Sequence, residues 1–130
     1  MQLINWSDEE HSLQLDIMDD THREFVAIIN QLNSASDAEF RRLFEKLHVH
    51  TEAHFARENE LMEKTCFPAI TEHKEEHLRI LGELHQFNTR VKKGLYSFGR
   101  SYIRDSIPQW FSLHLSTMDS ALAAHLKKTL

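Results

Sequence analysis

The spacing of apolar side chains constrains the fold of this chain more than any other feature of its sequence. Along almost the whole chain they recur every three or four residues, which places them on one face of an α-helix. The 130 residues include only three glycines and two prolines, fewer turn-forming residues than a β-sandwich or β-barrel needs. The pattern therefore predicts an all-α fold.

Four stripes of apolar residues predict four long helices, the first of them near residues 19–33. Ser36 followed by Glu39 forms a capping box, which is a typical start for the second helix. That helix is expected to end at residues 65–68, with Pro68 in the first turn of the third helix. Four helices joined by short loops indicate an up-down-up-down antiparallel four-helix bundle.

The fourth helix follows a region rich in helix breakers. Gly94 and Gly99 are expected to bracket the connection that leads to it. Pro108 then either kinks this helix or marks a late start.

The residues before the first helix are predicted to form an N-terminal arm over 1–18, and the bundle to follow over about 19–127. Trp6 and Leu13 are expected to hold this arm against the bundle. No shift in composition divides the chain, so we expect a single domain over residues 1–130.

Charge and cysteine content narrow the classes of function. Fifteen Lys and Arg against twenty Asp and Glu give a net charge of −5, which disfavours nucleic acid or an anionic membrane as a partner. The longest uninterrupted apolar run, Phe25–Ile29, is too short to cross a membrane, and residues 1–11 do not resemble a signal peptide. With Cys66 as the single cysteine, we expect a cytoplasmic protein, and a monomer.

Histidine and acidic residues replace leucine or valine at several positions on the four stripes. These residues are His22, His54, Glu58, His73, His77, His114 and Asp119. The pairs His54/Glu58 and His73/His77 are each spaced four residues apart, so both side chains of a pair share one helix face. Unpaired polar groups are costly to bury in a bundle core, and a metal ion removes that cost by taking imidazole and carboxylate as ligands. The pattern therefore predicts a metal site inside the bundle.

Each of these residues also has an ordinary structural interpretation. A single histidine on a helix seam is usually a hydrogen-bonded core residue, so the metal interpretation depends on the joint pattern over four helices. His50 lies one turn before His54 and is expected to support it or to pack in the core. The other histidines are predicted to be solvated or capping residues: His11, His48, His85 and His125.

Two other metal motifs fit less well. Residues 73–77 read H-x-x-E-H, the inverted zinc-peptidase motif, but such a site needs a further acidic ligand and a peptide groove, normally in a much larger protein. A ferritin-like di-iron site needs Glu-x-x-His on two helices, and this chain has one copy, at residues 45–48.

Four motifs contain the seven candidate ligands: Asp20-Thr21-His22, His54-Phe55-Ala56-Arg57-Glu58, His73-x-x-x-His77 and Trp110-x-x-x-His114-x-x-x-x-Asp119. In residue types, order and spacing they resemble the bacterial hemerythrins, over nearly the full length from Trp6 to about Leu126. The chain departs from the family pattern at Asn59, where a second acidic residue is frequent, and at residues 17–20. Neither departure affects a ligand.

The resemblance implies a non-haem centre of two iron ions with an oxo or hydroxo bridge. In the family, one iron has three histidine ligands, the other has two histidines and an open position for dioxygen, and two carboxylates bridge the ions. Carried onto this chain, the three histidines are His73, His77 and His114, the two are His22 and His54, and the bridging carboxylates are Glu58 and Asp119.

Three apolar residues are expected to line the dioxygen pocket. Phe25 lies one turn after His22 and Trp110 one turn before His114, and Leu115 is expected to join them from the same helix. Such a pocket would keep water and protons from the bound ligand. The alternative is that all three are plain core residues, since aromatic side chains often fill bundle seams.

The resemblance implies reversible dioxygen binding, for oxygen storage or delivery, rather than enzymatic activity. Five neutral imidazoles against two carboxylates favour carrying oxygen over activating it for attack on a substrate. Two alternatives stay open: an oxygen- or redox-sensing module that acts through a separate partner, and a di-iron enzyme that handles peroxide or nitric oxide.

The spacing of His114 and Asp119 makes a separate structural prediction. Residues five apart lie about 140° apart around a regular helix. Both reach one centre only if Asp119 swings across a seam or the helix widens locally. We therefore predict a π-type bulge or a distorted turn between Leu113 and Ser120.

Overall fold

The computed structural model describes residues 2–130, and these residues form helices and no strand. A short helix α1, Asp8–His11, precedes three long helices, which are α2 Asp16–Ser34, α3 Asp37–Lys64 and α4 Ile70–Lys92. The fourth long helix runs without a break through α5 Ser97–Ser101, a first π segment Tyr102–Ser106, α6 Ile107–His114, a second π segment Leu115–Asp119, and α7 Ser120–Thr129. Short connections make neighbouring helices antiparallel, so the predicted all-α four-helix bundle is confirmed. Within residues 2–130, no helix combines the length and the apolar composition that crossing a bilayer requires.

The N-terminal arm is held against the bundle by Asn30 of α2. The Asn30 side-chain oxygen accepts hydrogen bonds from the backbone N–H groups of Leu3 at 2.9 Å and Ile4 at 3.1 Å. Its amide group donates to the Ile4 carbonyl at 2.9 Å. Trp6 and Leu13 pack against the core, as the sequence predicted. The first residue of the predicted arm lies outside the described residues.

Helix α2 begins at Asp16, so the arm is shorter than the predicted 1–18. The buried carboxylate of Asp19 accepts hydrogen bonds from Ser12 Oγ at 2.6 Å and from the Leu13 backbone N–H at 2.8 Å. These two bonds direct the chain into the helix three residues earlier than the apolar stripe alone suggests.

The buried apolar side chains form two clusters. The large cluster includes, on the four long helices in turn, Phe25, Phe55, Ile80 and Phe111. The small cluster consists of Met18, Met62, Phe67, Leu122, Ala123 and Leu126. The seven histidines and carboxylates singled out above are buried as well, and on each long helix they lie in or directly beside the stretch between the residues of these two clusters. We refer to these seven residues as the polar layer.

The first π segment accommodates Pro108. Proline has no backbone N–H to donate, and its ring would clash with the carbonyl four residues earlier in a regular helix. The Ile107 N–H instead reaches back five residues to the Tyr102 carbonyl, which widens the turn before the proline. The helix begins at Ser97, so the late start considered for Pro108 is wrong.

Two predicted helix boundaries also need correction. Pro68 lies in the turn that precedes α4, rather than in its first helical turn. Gly94 does lie in the predicted connection, with φ of +83°, whereas Gly99 is buried inside α5. A Cβ atom at Gly99 would lie 3.0 Å from Val91 Cγ2. Close packing, and not a turn, therefore requires glycine at position 99.

Candidate metal centre

All seven residues of the polar layer are buried, with exposed fractions between 1% and 6%. The three helices α2, α3 and α4 and the fourth long helix all contribute to it, each through the face that continues its apolar stripe. The structure therefore brings together every residue of the predicted ligand set.

Glu58 of α3 faces histidines on both of its sides. Its Oε2 atom lies 2.6 Å from His54 Nε2 and 3.9 Å from His22 Nε2. Its Oε1 atom lies 3.2 Å from His77 Nε2 and 3.4 Å from His73 Nε2. The two oxygens of one carboxylate thus point to two different groups of histidines.

Asp119 repeats this arrangement from the fourth helix. Its Oδ2 atom lies 3.1 Å from His22 Nε2, while its Oδ1 atom lies 3.2 Å from His73 Nε2 and 3.1 Å from His114 Nε2. We call His22 and His54 the two-histidine group, and His73, His77 and His114 the three-histidine group. Both carboxylates lie between these groups.

The second π segment positions Asp119. In it the Ser120 N–H reaches back five residues to the Leu115 carbonyl, so the hydrogen bond encloses one more residue than it does in an α-helix. This extra residue brings Asp119 to the face that carries His114. The bulge predicted between Leu113 and Ser120 is confirmed.

Most polar atoms of this site are close together but are not hydrogen-bonded. Among the described residues, no hydrogen-bond partner is found for Nε2 of His22, His73, His77 or His114, nor for Glu58 Oε1 and Asp119 Oδ1. Such buried unpaired atoms are costly. Ligand atoms of His22, His54 and Glu58 lie within 4.8 Å of one another, as do those of Glu58, His73, His77 and His114. The atoms therefore converge as ligands converge on cations, and imidazole with carboxylate suits a transition-metal ion.

The family of the chain follows from its sequence match. Residues 13–128 match the family model described as "Hemerythrin HHE cation binding domain". The chain belongs to the hemerythrin family. A bacteriohemerythrin from Ralstonia nicotianae is 32% identical over 126 residues, which cover 97% of this chain and 90% of that relative. A bacteriohemerythrin from Stenotrophomonas maltophilia is 26% identical over 131 residues, covering 98% of this chain and 84% of that relative.

Solved hemerythrin structures have the same fold. The crystal structure of one hemerythrin variant matches with a TM-score of 0.88 at 21% identity, covering 97% of this chain and 98% of the other. The wild-type hemerythrin structure matches with a TM-score of 0.87 at 20% identity, covering 95% and 98%. The resemblance inferred from the four motifs is thus confirmed for the family and for the fold.

The electrostatics of this hemerythrin-family site keep both carboxylates ionised. Burial raises the pKa of the Glu58 carboxyl, but the charge of His54 and its hydrogen bond outweigh that effect and hold the pKa well below its usual value. Burial and the charge of Glu58 raise the pKa of the Asp119 carboxyl, but the close imidazole nitrogens of His114, His22 and His73 outweigh both effects and hold the pKa below its usual value. Two buried anions are therefore in place for a cation.

The His73 imidazole carries a proton in the metal-free chain. Burial disfavours the charged form of His73, but the nearby Asp119 and Glu58 carboxylates raise its pKa to about 9. A cation that binds at His73 must displace this proton, because only the neutral imidazole is a ligand.

Asn59 orients one of the histidines, which the sequence did not reveal. His77 Nδ1 donates a hydrogen bond to Asn59 Oδ1 at 2.8 Å. This bond fixes the tautomer in which Nε2 has the free lone pair facing Glu58. In the sequence, Asn59 stands out only as a departure from the hemerythrin pattern. One feature of the sequence could have indicated this role. Asn59 directly follows Glu58, and in an antiparallel pair of α3 and α4 it lies opposite His77.

A small cavity of about 10 Å³ adjoins the two-histidine group. Phe25 and Trp110 line it, as predicted from the sequence. Leu115, which was also predicted to line it, does not; it is buried in the large cluster. Phe55 and Phe111 line the cavity as well. They were missed because each is next to a stripe residue in sequence, so the helical period places it on a neighbouring face.

The remaining histidines have structural contacts. His11 Nδ1 accepts a hydrogen bond from the Ser7 backbone N–H at 3.0 Å, and His125 Nε2 donates to the Thr65 carbonyl, at the end of α3, at 2.8 Å. The predicted capping roles of these two are confirmed. The half-buried His50 bonds to Glu24 at 3.0 Å, and its ring lies 6.3 Å from that of His54. The rings of His48 and His85 pack together at 5.9 Å.

Proposed function

We propose that this hemerythrin-family protein binds dioxygen reversibly at a non-haem centre of two iron ions, as an oxygen store or carrier. The observation that supports this most directly is that Glu58 and Asp119 each turn one oxygen toward each group of histidines. Carboxylates that bridge two sets of neutral imidazoles suit a pair of iron ions. The names of the two bacteriohemerythrin relatives agree with this proposal.

The ligand count favours one ion as the binding position. The three-histidine group would hold one ion, the two-histidine group the other, and the two carboxylates both. Because the two-histidine group supplies one imidazole fewer, the ion held there keeps room for a small ligand. When bound, a pair of ferrous ions would supply the two electrons on which reversible dioxygen binding depends.

The cavity beside the two-histidine group supports a carrier rather than an enzyme. Its volume of about 10 Å³ suffices for roughly one molecule of the size of water. Phe25, Phe55, Trp110 and Phe111 form the aromatic part of its lining, and candidate ligands form the rest. A space of this size has no room for an organic substrate. A dry pocket of this kind slows proton transfer to the bound ligand, which would otherwise release it in reduced form.

The proposal is tested by loading the protein with Fe(II) without oxygen and following its visible spectrum. We expect two irons per chain and an absorption band that appears with dioxygen, disappears under argon and returns over repeated cycles. His54→Ala should lower the iron content and abolish the band. His85→Ala, which removes an exposed histidine, is the matched control and should retain two irons and the band.

Three results would overturn the proposal. The first is a band that never reverses under argon, and the second is continuous dioxygen consumption with an added reductant, which would favour an enzyme. Two irons retained at full occupancy in His54→Ala would show that α3 does not supply this ligand.

We also infer that the protein acts as a monomer in the cytoplasm. Its single cysteine, Cys66, is exposed, and an exposed thiol suits a reducing compartment. Light scattering should give a mass near 15.3 kDa at all concentrations. A stable dimer would contradict the first half of the inference, and export of the protein by its host cell the second.

A further inference from the structure

Trp110 separates the small cavity from the protein surface. Its ring stacks on His114, with centroids 4.8 Å apart. It also meets Phe25 and Phe55 edge-on, at 6.2 Å and 6.4 Å. These contacts form the cavity side of the indole. Its other side lines a groove of about 450 Å³ between α4 and the fourth helix. Over residues 2–130, Trp110 is the one side chain that lines both spaces.

A hydrogen-bond network holds the indole in this position. Trp110 Nε1 donates to Glu76 Oε1 at 2.7 Å. Arg79 donates to both oxygens of Glu76, at 2.7 Å and 3.2 Å, and to Glu83 at 2.8 Å. Glu83 also accepts from the Tyr102 hydroxyl at 2.9 Å. The network runs along the groove and ties the indole to α4 and to the first π segment.

We propose that the groove is the access route to the cavity, and that Glu76 is a positioning residue that sets how often Trp110 moves aside. The inference rests on the proposed function, since the ligand admitted is dioxygen. Among the residues that line the cavity, Trp110 alone is not fully buried. It is also the one shared with the groove, so a ligand that enters from the groove must pass it. Loss of the bond to Glu76 makes the closed position of the indole less favourable.

A residue that controls access has a distinctive kinetic effect. It changes the association and dissociation rate constants by the same factor and leaves the affinity unchanged, because the bound state is the same. A residue that stabilises the bound ligand changes the affinity instead. A hydrogen bond to a charged acceptor is strong enough that its removal should raise the open fraction about tenfold.

Rapid mixing and flash photolysis of the iron-loaded protein measure both rate constants. Glu76→Ala should raise both by about tenfold, and Glu76→Gln, which keeps an acceptor for the indole, should raise them less. Ser106→Phe adds a ring to the groove wall and should slow both. Glu75→Ala removes an exposed neighbouring carboxylate and should change neither. Ala121→Phe fills a separate surface pocket beside His73 and should also have no effect.

A second measurement needs no iron. Trp6→Phe leaves Trp110 as the only tryptophan, so its fluorescence reports access to the indole directly. In this background Glu76→Ala should raise the quenching rate constants of dioxygen and acrylamide severalfold, whereas Glu75→Ala should not. This experiment still tests the route if the iron-loaded protein fails to bind dioxygen reversibly, a failure that would overturn the proposed function alone.

Two outcomes would overturn the inference. The first is unchanged rate constants and unchanged quenching in Glu76→Ala. The second is slower association in Ala121→Phe together with no effect of Ser106→Phe, which would assign access to the pocket beside His73.

Discussion

The two π segments of the fourth helix have similar local geometry but different causes. The first precedes Pro108, whose ring and missing N–H prevent a regular helical turn. The second has no proline nearby, and its extra residue brings Asp119 to the face of His114. The first distortion therefore follows from the covalent structure of Pro108. The second follows from the position that Asp119 must reach, so only the second π segment should depend on the metal centre.

Of the changes considered, loss of Asp119 should have the largest effect, and it should affect the second π segment but not the first. Asp119→Ala removes an oxygen from both groups of histidines, so we expect well under two irons per chain and a melting temperature close to that of the metal-free protein. Amide hydrogen exchange should become faster in Leu115–Asp119 and stay unchanged in Tyr102–Ser106. Asp119→Asn, which keeps the shape but lacks the charge, should have an intermediate iron content. Full iron occupancy in Asp119→Ala would show that the second π segment does not serve the site.

Gly99→Ala tests the surroundings of the first π segment. The new Cβ would lie 3.0 Å from Val91 Cγ2 and 3.3 Å from Phe40 Cε1, and such overpacking costs about 1–3 kcal/mol. The iron content should stay at two per chain, because the polar layer is not involved. The control is Gly82→Ala, whose Cβ would meet no atom of the described residues within 4 Å; it should stabilise α4 by about 0.5–1 kcal/mol. Iron loss in Gly99→Ala would show that packing around the first π segment affects the metal site at the second.

The stability of the metal-free protein should fall between pH 6.5 and pH 9. Asp119 and Glu58 raise the pKa of His73 to about 9, above the value of about 6.5 in an unfolded chain. The stabilisation is therefore fully present below pH 6.5 and is lost as the pH rises through 9. Thermal melting across this range, with His73→Gln as the control, measures it. Of the two π segments, only the second should show faster hydrogen exchange as the pH rises. A melting temperature that does not change over this pH range would contradict the pairing of protonated His73 with Asp119 and Glu58.

Pro108→Ala should have the smallest effect. The widened turn already accommodates the proline, and Gly99 packing holds α5 in register, so we expect a change in unfolding free energy below about 1 kcal/mol. Iron content and spectrum should be unchanged. A gain near 3 kcal/mol, as for relief of a proline in a regular helix, would show that the first π segment stores strain.

The sequence predicts the polar layer well because charged and imidazole side chains on an apolar stripe are costly to bury unless they bind something. The second π segment was also predictable, since the five-residue spacing of His114 and Asp119 does not fit a regular helix. The first π segment was not predicted, although Pro108 is evident, because a sequence does not show whether a proline bends, ends or widens a helix. Gly99 was misassigned for a similar reason, since a glycine needed for close packing looks the same as one needed for a turn.

Side chains next to the stripes were the least predictable. All three of Leu115, Phe55 and Phe111 pack in the large cluster. Leu115 directly follows a ligand yet does not line the cavity, whereas Phe55 and Phe111 do. Helical periodicity within one segment does not show which residue beside a stripe faces the cavity. Asn59 and Glu76 act through contacts between α3, α4 and the fourth helix, which helical periodicity within one segment does not reveal.

The position of the polar layer between the two apolar clusters has a consequence for how the chain unfolds. Without a metal, the cost of burying the two carboxylates and the unpaired imidazoles weakens the layer between the two apolar clusters. Among the described residues, the small cluster has six buried side chains to hold the adjoining helix ends together. Subglobal opening of those ends then costs less free energy than opening of the large cluster. The proposed pair of ions, held by all four helices, would join the two units into one cooperative transition. Iron bound as proposed would thus be the central crosslink of the folded chain.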